Sequence, residues 1–325
     1  SSPNHSFMST FTIAVHGGSG TILKSDMTPE AEKGHLDGLQ AALDLAYGIL
    51  EKGGTAFDAV EAAIVSLEDC HYFNAGKGSV FTKKGQQEMD AAIMDGRTLE
   101  AGAVAGVRRI RNPVRLARAV MEKSPHVFLS GEGAEEFASL HGIATEPDSY
   151  FFSQFRYEQW LSIRDSDDYA LDHSSRSVED KVIEADKKMG TVGAVACDKY
   201  GNLAASTSTG GMTNKQFGRI GDTPLIGLGT YANNATCAVS CTGHGELFIR
   251  AVAAYDVSCL MEYGGLSLEA AAARVVYDKL VKLGGEGGLI AVDARGRHAL
   301  LFNTEGMYRG VRNNEGLNET AIYKV

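Results

Sequence analysis

Cysteine is scarce and unpatterned in this chain, with five residues at positions 70, 197, 237, 241 and 259. An odd count without regular spacing excludes a disulfide framework and suits reduced thiols in a cytoplasmic setting. Cys237 and Cys241 sit in an alternating, strand-like run with no Cys or His pair nearby, so a metal centre there is not expected. Long apolar runs are also missing; none approaches the ~20 residues of a membrane-spanning helix. Positive charge is outnumbered, 31 Lys and Arg against 41 Asp and Glu, which argues against nucleic acid or an anionic membrane as partner. The opening residues, Ser1 to Met8, lack the basic flank and apolar core of a secretion signal. Residues 1–10 therefore read as an N-terminal extension. Three familiar loops are missing as well: no P-loop, no G-x-G-x-x-G and no G-x-S-x-G elbow. Nor is any solenoid period visible.

What is present is an ordinary globular composition, 44% apolar and 22% charged, in a chain long enough to bury about three quarters of its unfolded surface. Phe11 to Val15 reads as a buried strand ending at the turn His16-Gly17-Gly18-Ser19-Gly20. Thr28-Pro29 starts a helix with Leu36, Leu39, Leu43, Tyr47 and Leu50 on one face. Thr55 with Asp58 caps a second helix whose stripe is Val60, Ile64 and Leu67. Gly96 to Val107 alternates as buried strands do, and Asn112-Pro113 opens another helix. From Ser153 to Lys188 the pattern decays into charge, as a flexible, cuttable connection would. The second half opens with a hairpin, Thr191 to Cys197 returning through Leu203 to Thr207. A second hairpin, Leu289 to Val292 and His298 to Phe302, follows helices predicted over Phe248 to Tyr263 and Leu268 to Leu283. Helices around hairpin-built sheets imply an α+β layered domain.

The chemistry is concentrated around Met189-Gly190-Thr191-Val192-Gly193, where the charged stretch meets an apolar strand with no turn between. If the chain is cut before Thr191, the freed α-amine lies beside the hydroxyl. Such an amine titrates near pH ~8, so it can act as base to its own nucleophile. An uncut linker followed by an edge strand is the bland alternative. Three hydroxyl- and glycine-rich clusters follow: Ser206 to Met212, Lys215 to Asp222, and Ser240 to Glu246. Arg219 and Asp222 are either a surface ion pair of little worth or a clamp for the carboxylate and ammonium of a zwitterion. Thr242-Gly243 supplies a hydroxyl and a backbone N–H, the parts of an oxyanion hole. His244 reads as a pocket wall, with an acid–base role as the alternative.

Taken together, His16-Gly17-Gly18, Phe73-Asn74-Ala75-Gly76, Met94-Asp95-Gly96, Gly190-Thr191-Val192-Gly193-Ala194-Val195, Ser208-Thr209-Gly210-Gly211, Gly218-Arg219-Ile220-Gly221-Asp222 and Thr242-Gly243-His244-Gly245-Glu246 form a specific set. With these motifs the chain resembles the plant-type L-asparaginase/isoaspartyl peptidase family of N-terminal nucleophile hydrolases, from Phe11 to about Gly310. The likeness is nearest to its bacterial isoaspartyl peptidases. The resemblance implies a four-layer αββα sandwich made as an inactive precursor and self-cleaved between Gly190 and Thr191. Residues 11–190, ending in a linker over 163–190, would form an α subunit and 191–325 a β subunit of one domain. It implies Thr191 as nucleophile, Thr209 orienting it, Asn74 bracing it, and Thr242 with Gly243 holding the oxyanion. Arg219 would bind the substrate α-carboxylate, and Asp222 with the Gly243 and Gly245 carbonyls the α-ammonium. No cofactor is implied for catalysis. A structural sodium ion is, held by the carbonyls of Leu67, Glu68, Cys70, Phe73, Ala75 and Lys77. The implied substrates are L-asparagine and β-aspartyl dipeptides, and the implied assembly is a dimer of cleaved αβ units, a heterotetramer. A glycosylasparaginase, or a non-catalytic protein keeping the fold, are the rival readings.

Overall fold

The computed structural model describes residues 9–165 and 190–325. Strand β1, Thr12–Gly20, leads to helix α1, Pro29–Glu51, whose first turn is closed by the Thr28 hydroxyl accepting from the Ala31 amide. That cap, with proline at the first helical position, satisfies one otherwise orphaned amide. Helix α2, Ala56–Glu68, starts the same way, with Thr55 accepting from Asp58 N–H. Then come β2 (Met89–Asp95), β3 (Ala101–Val107), α3 (Pro113–Lys123), β4 (Phe128–Ser130), α4 (Gly131–Leu140), α5 (Asp148–Phe151) and α6 (Gln154–Ile163). Beyond Gly190 follow β5 (Val192–Cys197), β6 (Leu203–Thr209), β7 (Thr230–Ala232), β8 (Cys237–Gly243), α7 (Gly245–Ala251), α8 (Ala253–Glu262) and α9 (Leu268–Ala273). Helix α9 continues through a π-helical turn, Arg274–Lys279, into Leu280–Lys282. Strands β9 (Gly287–Asp293), β10 (His298–Phe302), β11 (Gly306–Asn313) and β12 (Asn318–Tyr323) complete the chain.

Two sheets result. One has the order β12-β11-β1-β5-β6-β2-β3-β4, the other β10-β9-β8-β7. Side chains alternate along each strand, so β1 sends Ile13 and Val15 to one face and Ala14 and His16 to the other. Ile13, Val15, Val192, Ala194 and Ala204 join Leu39, Leu43, Val60 and Ile64 of α1 and α2 in one core. Ala14, Val195, Ala205, Ala238, Ile290 and Val292 form a second core between the sheets. A third packs Val239, Cys241 and Leu289 on Phe248, Val257, Val275 and Leu280. The molecule is thus α+β, with helices on sheets and sheet on sheet. Among the described residues no helix is long and apolar enough to cross a membrane, and all five cysteines are free thiols.

Several elements differ from the sequence reading. The glycines after His16 do not end β1; the strand runs through them with an irregularity between His16 and Gly18, where β11 pairing shifts register. Extra residues are absorbed as a bulge rather than a turn. Gly96 lies in the turn between β2 and β3, with Leu99 at φ 63°, so strand begins only at Ala101. The first ten residues of the charge-rich stretch after Ser153 are helix, because the Ser153 side chain caps α6 at Arg156 N–H; residues 166–189 lie outside the described residues. The helix expected over Phe248 to Tyr263 breaks at Val252, which takes φ 51°. The break lets Ala254 and Tyr255 donate to the Leu228 and Gly227 carbonyls.

Candidate active site

The inter-sheet face changes character along its strands. On β6 the residues facing inward run Leu203, Ala205, Thr207, Thr209, and on β8 they run Ala238, Ser240, Thr242. Apolar groups fill the middle and hydroxyls gather at one end, where a cleft of ≈ 280 Å³ opens. Thr191, immediately before β5, lines it together with Asn74, Thr209, Arg219, Asp222, Thr242 and His244. The Thr191 hydroxyl donates to Thr209 Oγ1 at 3.0 Å, and Thr209 also accepts from the Gly211 amide at 3.0 Å. Gly190 lies against the β1 bulge so closely that a Cβ on Gly18, whose φ is 106°, would collide with the Gly190 backbone. The Gly190-Thr191 bond is therefore laid on a surface only glycine can provide.

Across the cleft, the Thr242 hydroxyl accepts from Ser19 N–H at 3.3 Å, while Ser19 Oγ donates to the Thr242 carbonyl at 3.2 Å. The amide fills one acceptor position, which leaves the Thr242 proton for an acceptor in the cleft. Gly243 follows at φ 147°, where a Cβ would meet the Glu286 carbonyl.

Arg219 does not pair with Asp222. Its Nε and Nη2 donate to the two oxygens of Glu246 at 2.7 and 2.8 Å, a fork-to-carboxylate geometry that fixes the guanidinium plane. Burial pushes the Glu246 carboxyl up, but the Arg219 hydrogen bond and charge outweigh this and hold it below its ordinary range. Gly221 and Gly245 wall the guanidinium; a side chain on Gly245 would sit 2.9 Å from Nη2. Asp222 is only 5% exposed, and its Oδ2 has no hydrogen-bond partner among the described residues. Desolvation raises its pKa to about 7 against the lowering effect of Arg219. A buried carboxylate of this kind is a vacancy for a cation. His244 is half exposed, with Nε2 3.6 Å from Glu246 Oε2, and forms part of the wall.

Asn74 grips the turn after Thr209 rather than Thr191 itself. Its Nδ2 donates to the Gly211 carbonyl at 2.7 Å, its Oδ1 accepts from Val80 N–H, and its carbonyl accepts from Gly210 N–H. The loop from Leu67 to Lys77 is coiled by amides bonding back to the carbonyls of Leu67, Cys70, Phe73 and Ala75. The Lys77 ammonium lies over the Tyr150 ring. Among the described residues no group of three or more His, Cys, Asp or Glu side chains is arranged to hold a metal ion.

Sequence reasoning missed Ser19 and the role of Glu246. The spacing Gly-x-Gly-Glu at a helix start was the available signal for Glu246, since its acid belongs in the first turn. It also missed Asp90, which pairs with Thr209 across β2 and β6, and Lys215, buried nearby with Nζ donating to the Glu88 carbonyl at 2.8 Å.

The sequence profile of the asparaginase family matches residues 9–322. The isoaspartyl peptidase of Salmonella typhimurium is 54% identical over 317 residues, covering 98% of this chain and 100% of the relative. The isoaspartyl peptidase of Escherichia coli is 53% identical, covering 98% and 97%. A probable isoaspartyl peptidase/L-asparaginase of Arabidopsis thaliana is 40% identical over 330 residues, covering 98% and 100%. The match spans nearly the whole chain; the chain belongs to the asparaginase family, together with these isoaspartyl peptidases.

Proposed function

We propose that the protein is an amidohydrolase that cleaves itself between Gly190 and Thr191 and then hydrolyses β-aspartyl dipeptides and L-asparagine. The observation carrying this reading is the meeting, in one cleft, of Thr191 bonded to Thr209 with a fixed guanidinium and a buried carboxyl whose Oδ2 has no partner among the described residues. In the first step the Thr191 amine takes the hydroxyl proton as Oγ1 attacks the substrate side-chain carbonyl. The Thr242 hydroxyl and Gly243 N–H bind the oxyanion. Collapse returns the proton to the leaving nitrogen, releasing ammonia or an amino acid, and leaves an aspartyl ester on Thr191. Water, deprotonated by the same amine, cleaves the ester and frees aspartate. Asp222 and the Gly243 and Gly245 carbonyls receive the α-ammonium, and Arg219, held by Glu246, faces the α-carboxylate. Asn74 acts by holding Gly211, hence Thr209.

The three stacked cores correspond to a four-layer αββα sandwich. A sodium ion suits the Leu67, Glu68, Cys70, Phe73, Ala75 and Lys77 carbonyls, because neutral oxygens are the donors a hard cation takes. Lys77 directs its charge to Tyr150. The ion's part is to stiffen the loop bearing Asn74. Free thiols fit a cytoplasmic location, and a dimer of cleaved αβ units is the assembly.

The test has two readouts. Mass spectrometry should find fragments 1–190 and 191–325, with Thr191→Ala staying whole. Hydrolysis of β-Asp-Leu should exceed that of α-Asp-Leu by at least ~100-fold, since the α-linked peptide uses the carboxylate that Arg219 faces. Comparable rates for the two dipeptides refute the clamp, and glycosylated asparagine as best substrate refutes the substrate class.

A further inference from the structure

Between the sheets, four polar side chains, His16, Ser240, Thr207 and Thr230, lie in a line, each 0% exposed. They form an unbroken chain. His16 Nε2 lies 3.0 Å from Ser240 Oγ, Ser240 Oγ is 2.7 Å from Thr207 Oγ1, and Thr230 Oγ1 is 2.7 Å from Thr207 Oγ1. Thr207 donates to the Gly229 carbonyl at 3.3 Å, and the single Thr230 proton has two acceptors in reach, Thr207 Oγ1 and the Thr223 carbonyl at 3.1 Å. At the other end His16 pairs with Gly193 across β1 and β5, two residues beyond Thr191. The Gly18 amide donates to His16 Nδ1, which makes Nδ1 the acceptor and leaves the proton of the neutral ring on Nε2, toward Ser240. Ser240 and Gly193 crowd this junction: a Cβ on Gly193 would collide with both His16 Nε2 and Ser240 Oγ.

The endpoints of this chain are the two halves of the site. Thr191 is the nucleophile on the larger sheet, and Thr223 follows the clamp residue Asp222. Between them the sheets otherwise meet through Ala14, Val195, Ala205, Ala238, Ile290 and Val292, contacts that are non-directional. Alanine and valine would fill the same space without the desolvation that buried hydroxyls and an imidazole cost. A fully satisfied polar chain instead specifies one register of the two sheets.

Resting on the function proposed above, we infer that His16, Ser240, Thr207 and Thr230 are positioning residues that fix the distance between Thr191 and the Asp222 clamp. The chain touches no substrate. It sets where the attacked carbonyl sits relative to the nucleophile once the α-groups are held, and a displacement of about 1 Å there costs on the order of 100-fold.

The two reactions of Thr191 separate this role from a structural one. Self-cleavage attacks the Gly190 carbonyl, which the chain itself delivers, and needs no clamp; hydrolysis needs both ends. Thr230→Val and Thr207→Val should therefore self-cleave at the unmodified protein's rate yet lose roughly 10-fold or more in kcat for β-Asp-Leu. Ser240→Ala, next to His16 and Gly193, should slow both reactions. Thr207→Ser, which keeps the hydroxyl, should recover most of the loss in Thr207→Val. Equal loss in Thr207→Ser and Thr207→Val would make the effect one of packing and overturn the inference, as would unaltered kcat in both valine variants. Should Thr207→Val fail to fold, Thr230→Val carries the same contrast, with Thr230→Ser as its rescue. An unmodified protein that neither cleaves itself nor hydrolyses β-Asp-Leu would refute the proposed function instead, a separate result.

Discussion

Replacing Asp222 by Asn should make the protein inactive and, above neutral pH, more stable. In the folded chain burial raises this carboxyl from 3.8 to about 7. Between those values the native state holds a proton that the unfolded chain has released. Stability therefore falls as pH rises from about 4 to about 7, and the full cost is present above 7. At about 1.4 kcal/mol per pH unit the cost is at most about 4 kcal/mol. Asparagine removes the charge but places an amide where Oδ2 has no partner, a penalty of about 1–3 kcal/mol. The net gain at pH 8 is then about 1–3 kcal/mol, while at pH 5 the variant should be level with the unmodified protein or weaker. Urea unfolding of both proteins at pH 5, 6.5 and 8 measures it, the difference cancelling every other titrating group. L-Aspartate should stabilise the unmodified protein at pH 8 and leave Asp222→Asn unmoved, since only the carboxylate receives an ammonium. A stability difference independent of pH, or an Asn variant weaker at pH 8 than at pH 5, would refute the account of Asp222 as a strained, waiting anion.

Two further outcomes follow from charges around the cleft. Arg219→Ala should lower asparagine turnover about 100-fold, the worth of charge-assisted hydrogen bonds, with self-cleavage intact by gel; equal loss of both would make Arg219 structural. Lys215→Met keeps the buried stem but removes the cation near Asp90, whose carboxyl burial already pushes up. It should cost about 1–3 kcal/mol in urea unfolding at pH 8 and progressively less as pH is lowered, because protonating Asp90 removes the charge left unpaired; a loss independent of pH would exclude Asp90 as its cause.

What could be read from the sequence was what depends on neighbours a few residues apart. Thr28 and Thr55 announce α1 and α2 because a cap needs only a hydroxyl and an amide three positions on. The β5–β6 hairpin is legible because its turn, Asp198 to Asn202, separates two alternating runs. The clustering of Thr191, Thr209, Thr242, Arg219 and Asp222 came from motifs rather than periodicity, and the structure gathers them in one cleft. Illegible features depend on distant partners. Arg219 turns from Asp222, three residues away, to Glu246, 27 residues away, whose two oxygens both meet its fork. Asn74 spends its amide on Gly211, a contact set by the packing of β6 against the loop after α2. Val252 at φ 51° defies its β-branched preference, and no local signal marks it. The glycines of β1 look like a turn because a bulge and a turn use the same residue for the same conformational reason.

The strand order would let the proposed cut between Gly190 and Thr191 leave the cleft intact. In the larger sheet the strands alternate in origin about the Gly190-Thr191 bond. β12 and β11 come from after it, β1 from before, β5 and β6 from after, and β2, β3 and β4 from before. Three ladders, β11 with β1, β1 with β5 and β6 with β2, therefore join the two pieces, and the helices before the bond pack on strands from after it. Cutting one peptide bond removes none of this. The proposed cut would free an amine at Thr191, immediately before β5, and the strand would hold the new terminus. The uncut chain already places Thr191 against Thr209, and the β1 bulge presses on Gly190 from the other side. On the proposed cleavage the same architecture would keep Asn74 and Ser19, before the bond, facing Thr209, Thr242 and Arg219, after it. A site drawn from both fragments needs this interleaving, because side-by-side halves would lose Asn74 whenever they drifted apart.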